Sequence, residues 1–374
     1  MSMTPDLYPR SVNWQITYGC QLRCTHCYTE SGRRPARRLP PESLLRIAET
    51  LAAMKPQSIQ IGGGEPLLVP GLFEVAALLR AKGLQVHLYT NGLDVTDEIA
   101  EKLVQLFTHV HVSIDGATRE VHEMIRGRTG SFDAALRALG ALERARNAAR
   151  ARGECDFQYG IDVTLVRSNF AQLPLFCSVI APAFPGLSFI SAGAAVPAGL
   201  AGRPSYAEQE LLTEEQLATL RDPRLTEELR VLAAASKAGI EQLDINDNFF
   251  LQLNPEQVRR GEPATQVMEI EPDGGVRGLL IYEGTVGNIL HEPAQVLWQR
   301  AQQRLRDPFL VKTLAGVRTL QEWAVAARKI DQHFAAPRDL LRLSRRPEHV
   351  ASAPQKKIPG GSNYPRSRDS ASQL

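Results

Sequence analysis

Short runs of alternating apolar and polar residues recur through the first half of the chain, separated by stretches with helical spacing. Strands are predicted at 13–18 (NWQITY), 58–61 (SIQI), 84–89 (LQVHLY), 109–114 (HVHVSI), 159–166 (YGIDVTLV) and 187–192 (LSFISA). Between them, Pro41-Glu42-Ser43 opens a helix with Leu44, Leu45, Ile47, Ala48 and Leu51 on one stripe. Leu72, Val75, Leu78 and Leu79 mark a second, and further helices are expected over 97–107, 131–148 and 171–180. Strand and helix alternating six times imply a parallel sheet with right-handed crossovers. Six units fall two short of a closed eightfold barrel. The expected fold class is therefore α/β, a partial (β/α)6 barrel with its chemistry at the carboxyl ends of the strands.

The pattern changes after residue 193. A Gly, Ala and Pro-rich stretch leads to helical runs near 213–238, then QLDIN at 242–246. A hairpin is expected around Pro272-Asp273-Gly274-Gly275, between VMEIE and VRGLLIY, with helical patterns over 293–334. This gives three expected parts: a barrel over 1–205, a smaller C-terminal α+β module over 206–335, and a tail over 336–374. The tail is rich in Pro, Ser, Gly and charge, and is expected to be disordered.

Composition narrows the class. The chain has 374 residues, 43% hydrophobic and 22% charged, enough for one large domain with appendages. Its formal charge is +2; residues 345–374 carry six Lys or Arg against Glu348 and Asp369, leaving residues 1–344 near −2. A nearly neutral body argues against nucleic-acid binding by phosphate neutralisation. No run of about 18 apolar residues suggests a membrane span, and the start has no basic-then-apolar leader. A cytoplasmic location is expected.

Five cysteines in so long a chain do not make a disulfide scaffold, and three of them crowd into CQLRCTHC just beyond the first strand. Cys20, Cys24 and Cys27 can wrap three thiolates round one inorganic centre. Structural zinc and a fully ligated four-iron cluster each call for four protein ligands, so three leave one metal position open. A zinc site completed by His26 or a remote ligand stays open on spacing alone, as do three unrelated buried thiols. Two further segments sit at strand ends: Gly63-Gly64-Glu65-Pro66, whose glycines let main chain approach a ligand beside a carboxylate acceptor, and Ser113-Ile114-Asp115-Gly116, which also reads as a turn.

Together these segments, over residues 12–195, resemble the radical S-adenosylmethionine (SAM) superfamily. The resemblance implies one 4Fe-4S cluster on Cys20, Cys24 and Cys27, and SAM as the second cofactor. It implies that Gly63, Gly64, Glu65 and Pro66 hold the methionyl ammonium. It places His26, Asn91, Ser113, Asp115 and Arg126 about the adenine, ribose and carboxylate, with Arg128 as an alternative to Arg126 and Thr164, Asn169, Ser191 and Ala192 as further pocket candidates. The implied activity is reductive cleavage of SAM to a 5′-deoxyadenosyl radical that abstracts hydrogen from a peptide or a natural-product or cofactor precursor. Epimerase or dehydratase chemistry on a carbohydrate or aminoglycoside metabolite is the alternative, and a zinc-stabilised binding protein or a non-catalytic partner subunit the alternative of another class.

The segment EIEPDGGVRGLLIYEGTVGNI resembles the SPASM extension of maturases in this superfamily, whose cysteines hold auxiliary clusters. Here those positions read Gly261 and Gly278-Leu279, and no cysteine follows Cys177. The expectation is that fold without its clusters, which favours redox-neutral chemistry or direct reduction of the product radical. The resemblance also implies a flavodoxin- or ferredoxin-type reductant. With about a dozen residues ahead of the first strand, peptide recognition is expected from the C-terminal module or a separate protein. Cys177 and Asp244 are the catalytic candidates, as hydrogen donor and substrate base; Cys155 and Cys177 also read as small buried hydrophobes. Arg33, Arg34, Arg37 and Arg38 in GRRPARR read as a solvated surface loop.

Overall fold

The structure, a computed structural model, describes residues 8–154, 156–236, 239–248, 255–260 and 266–349. Six strands fall where alternation places them: β1 Ser11–Thr17, β2 Ser58–Gly63, β3 Gln85–Thr90, β4 His109–Ser113, β5 Gln158–Leu165 and β6 Phe189–Ala194. Four more follow: β7 Gln242–Asn246, β8 Val267–Ile270, β9 Gly275–Arg277 and β10 Thr285–Asn288. All ten form one sheet in the order β10-β9-β8-β1-β2-β3-β4-β5-β6-β7.

The parallel run from β8 to β7 holds eight strands, two more than the six expected, because β7 adds beside β6 and β8 beside β1. Only the β8–β9 and β9–β10 pairs are antiparallel, and Ile270 opposite Val276 closes the expected hairpin between β8 and β9. The ends β7 and β10 do not pair with each other, so this is a partial barrel. The expected boundary at 205/206 falls between β6 and β7, which share that sheet.

One face of each strand is covered by helices. Val12, Trp14 and Ile16 of β1, Ile59 and Ile61 of β2, and Val86 and Leu88 of β3 are all fully buried. They meet the apolar stripes of α1 Pro41–Met54, α2 Leu72–Ala81 and α3 Asp97–Leu106, with α4 Arg119–Arg126 and α5 Ser131–Ala151 continuing the layer. Thr96 caps α3 by accepting from the Ile99 amide. The other face carries the alternate, polar residues into the barrel.

Two expectations change. The helix expected over 171–180 breaks into Leu173–Leu175 and a π-helical turn Phe176–Ile180 after a separate turn at Arg167–Phe170. Pro174, with no amide proton, cannot continue a hydrogen-bonded ladder. The tail expected over 336–374 begins with a helix, Pro337–Ser344, packed against the helix Leu320–Phe334 and ion-paired to the cysteine loop. Composition misleads there because its charges are spent on internal ion pairs. Residues 350–374, like Cys155 and Gly261, lie outside the described residues.

Candidate functional site

The loop that leaves β1 carries the three cysteines, and it is stitched to its neighbours through main chain. Gly64 N donates to Thr17 O (2.6 Å) and Glu65 N to Gly19 O (2.8 Å), so the GGEP segment runs alongside the loop. A Cβ on Gly64 would lie 2.0 Å from Gly19 O, closer than any side chain tolerates, while Gly63 takes φ +118°. On the other side, Arg23 N and Thr25 N donate to the carbonyls of Arg126 and Ile125 at the end of α4, at 3.1 and 2.8 Å.

Each of the three sulfurs faces a donor. The Leu22 amide (3.4 Å) and Asn91 Nδ2 (3.9 Å) approach Cys20 Sγ, Arg126 Nη1 (3.9 Å) approaches Cys24 Sγ, and the Thr29 hydroxyl lies 3.4 Å from Cys27 Sγ. Donors aimed at sulfur stabilise thiolate ligands. Burial raises the Cys20 thiol and pushes Cys24 up to about 12, so a bound metal must displace these protons. Among the described residues no three Cys, His, Asp or Glu side chains are grouped to hold a single metal ion. Three half-buried thiols, each faced by a donor, have the chemistry of a thiolate set for an iron-sulfur cluster.

Glu65 is fully buried and already occupied: Oε1 accepts from Thr90 Oγ1 (2.8 Å) and Leu67 N (3.2 Å), Oε2 from Asn91 N (2.8 Å). Burial nevertheless raises its carboxyl to about 7. Its visible work is to fix Asn91, whose Nδ2 reaches toward Cys20, at the end of β3. Asp115, also fully buried, pairs with Arg126 Nε (2.6 Å), lies 3.6 Å from His26 Nε2 and accepts from Thr164 N (2.9 Å). Asn169 Nδ2 binds Asp115 O and Thr164 O, each at 2.8 Å. Burial lowers His26 to about 4, against the pull of Asp115, and Arg126 beside it adds to the fall; the imidazole is neutral near pH 7. Arg128 turns instead to Gln21 O, at 3.3 Å.

The strands' register aligns a second group. Ser113, Asp162, Ser191 and Asp244 are direct neighbours across β4, β5, β6 and β7. Asp162 and Asp244 both act on Tyr89, so this row faces the barrel interior. Burial, with Asp115 and Asp244 adding to it against Arg126, raises Asp162 to about 7. Beneath the row, Tyr89 stacks on His111 (4.2 Å), His111 meets Phe189 (4.6 Å) and His87 meets His109 (4.1 Å).

Asp162 is absent from the sequence reading. Its signal was there, an acid within the apolar run YGIDVTLV. Asp244 joins the interior row, whereas Cys177 lies in the hydrophobic core on the helical side, its thiol raised to about 11 by burial. GRRPARR is a solvated loop only in part: Arg33 and Arg38 are exposed, but Arg34 and Arg37 are not. Arg34 is buried against Asp339 (3.4 Å) and lies over the Tyr18 ring, while Arg37 pairs with Glu271 and Asp339, both at 2.9 Å.

A partial barrel with a Cys-x3-Cys-x2-Cys loop after β1, and a glycine-carboxylate turn laid against that loop, defines one class of protein. Residues 14–149 match the family described as Radical SAM superfamily, and the chain carries a radical SAM domain. Proteins of that family use a 4Fe-4S cluster and SAM. Over 172 residues the chain is 37% identical to the mycofactocin maturase MftC of Mycobacterium tuberculosis (strain CDC 1551 / Oshkosh), covering 46% of this chain and 41% of that protein. Over 167 residues it is 34% identical to an AdoMet-dependent heme synthase of Methanosarcina barkeri (strain Fusaro / DSM 804), covering 44% and 45%. The matched stretch spans less than half the length of these curated relatives. In fold it is similar to Streptococcus suis SuiB bound to S-adenosylmethionine, with TM-score 0.59 at 15% identity over 88% of this chain and 77% of that one. SuiB has also been solved bound to the precursor peptide SuiA.

Proposed function

We propose that this protein is a SAM-cleaving enzyme that modifies a peptide or a natural-product or cofactor precursor at an unreactive carbon. The observation that carries the reading is the convergence of three donor-faced thiols, the GGEP turn and the Asp115–Arg126 pair at the carboxyl ends of β1 to β4. Bound there, the cluster and SAM would supply one-electron cleavage and a hydrogen-abstracting radical.

The chain's own residues do the rest. Cys20, Cys24 and Cys27 would ligate the cluster. Gly63, Gly64 and Pro66 shape the main chain beside it, and Glu65 holds Asn91 in place. His26 presents a neutral ring, suited to stacking against a base, and Ser113, Asp115 and Arg126 would orient the rest of SAM. The row Ser113-Asp162-Ser191-Asp244 then lines the side on which substrate enters, with Asp162 and Asp244 as its proton-handling groups. A peptide substrate is supported by the maturase relatives and by the peptide-bound SuiB. The carbohydrate reading has no such support. A flavodoxin- or ferredoxin-type donor completes the electron supply. None of the described helices is long and apolar enough to cross a membrane.

The test is 5′-deoxyadenosine formation from SAM by anaerobically reconstituted protein with dithionite. The native chain is expected to yield product and Cys24→Ala none. Equal yields from both, or a stoichiometry of one zinc in place of about four irons, would overturn the reading.

A further inference from the structure

The cysteine loop has no regular secondary structure of its own, so its shape depends on what grips it. Much of that grip comes from more than 300 residues away. Glu30, three positions after Cys27, is buried with φ +55°, and its amide donates to Cys27 O at 3.3 Å. Its carboxylate receives Arg342 and also Arg346, the latter at 2.8 Å. Arg342 is fixed in turn on Glu283 (2.8 Å) and Arg346 on Asp331 (3.3 Å). A second anchor is Arg203: Nη1 donates to Pro347 O and Nη2 to Thr25 O, both at 2.8 Å, while Leu200 N donates to Cys27 O at 3.1 Å. Asp339 takes Arg34 and Arg37 from the far end of the loop.

We propose that residues 337–349 are a strap that holds the cysteine loop in its ligating shape, with Glu30 as the positioning residue at its anchor. The charges are matched and withdrawn from water, so the strap resists salt better than surface pairs do. Removing both arginines would leave Glu30 buried and unpaired. At a strained left-handed backbone position, that releases the loop. Only the strap's meaning for catalysis rests on the cluster reading; the strap itself can be measured on thiols alone.

The experiment compares iodoacetamide labelling of the metal-free full chain, resolved by residue in a mass spectrometer, for wild type and Arg342→Ala/Arg346→Ala. Arg230→Ala/Arg306→Ala removes two exposed arginines outside the strap as the charge-matched control. Cys20, Cys24 and Cys27 should label at least ~5-fold faster in the strap variant, with Cys177 unchanged, since local opening is governed separately from global unfolding. Glu30→Gln should show the same acceleration, and Arg342→Lys/Arg346→Lys should recover part of the protection. Unchanged triplet rates would overturn the proposal. Equal acceleration of Cys177 would overturn it too, by showing general loosening. A strap variant that labels fast, in a protein whose wild type forms no 5′-deoxyadenosine, would sink the catalytic reading and keep the strap.

Discussion

Asp115 and Arg126 face each other at 2.6 Å, one fully buried at the end of β4 and the other nearly so on the last turn of α4. The pair joins the wall of the barrel to the helix whose carbonyls receive the cysteine loop. Asp115→Asn leaves a guanidinium in low dielectric without its partner, at a cost of about 3–5 kcal/mol. Arg126→Met on that background should return most of the loss. Urea denaturation of the two single variants and the double variant reads this directly, and additive losses would mean the pair is not coupled.

Gly64→Ala tests the contact between the GGEP turn and the loop. The added methyl meets Gly19 O, a main-chain atom that cannot rotate away. The expected loss is about 1–3 kcal/mol, together with reduced iron retention. Gly153→Ala meets nothing within 4 Å and carries only the penalty of its φ of +78°, so iron content should stay at the native value. Iron analysis beside thermal unfolding separates the two.

Glu283 gives a pH signature. Burial would raise its carboxyl, but Arg277, Arg342 and Arg34 outweigh that and hold it at about 2 against an ordinary 4.5. A depressed carboxyl stabilises above its unfolded value and loses that contribution as pH falls from about 4.5 to about 2. The gap in unfolding free energy between wild type and Glu283→Gln should be about 3 kcal/mol at pH 7 and should close toward pH 2. A gap that does not change with pH would rule out this account.

Asp162 has the opposite sign. Its carboxyl sits at about 7 rather than 3.8, so the folded state prefers the proton and loses stability as pH rises through that interval. Asp162→Asn should therefore stabilise at pH 8, by on the order of 1–3 kcal/mol after allowance for its partial exposure, and change little at pH 4. Product formation should fall in the same variant, as expected where a strained polar group serves function. Stabilisation with unimpaired turnover would remove Asp162 from the active residues.

The strands were legible because each alternates on its own, and the Cys, GGEP and SIDG segments because each is contiguous. What the sequence hid are relationships between distant segments. VMEI shows nothing that says it will lie beside SVNW. Four arginines in six residues read as a wet loop, yet the carboxylates that bury two of them come from positions 271 and 339. The GGEP motif says nothing of Thr90 and Asn91, which the Glu65 oxygens carry in a bond pattern that depends on β2 and β3 lying in register.

The place of β1 has a consequence for how the chain is made. It lies between β2 and β8, with Ser11 level with Ser58 on one side and Val267 on the other. At roughly 5–20 residues per second, ribosomal synthesis of the intervening chain takes on the order of 10–50 s. During that time one edge of the earliest strand stays open, beside the thiols that leave its end. Until β8 is made, a nascent chain of this design therefore carries an unpaired strand edge and three oxidisable thiols at the same spot.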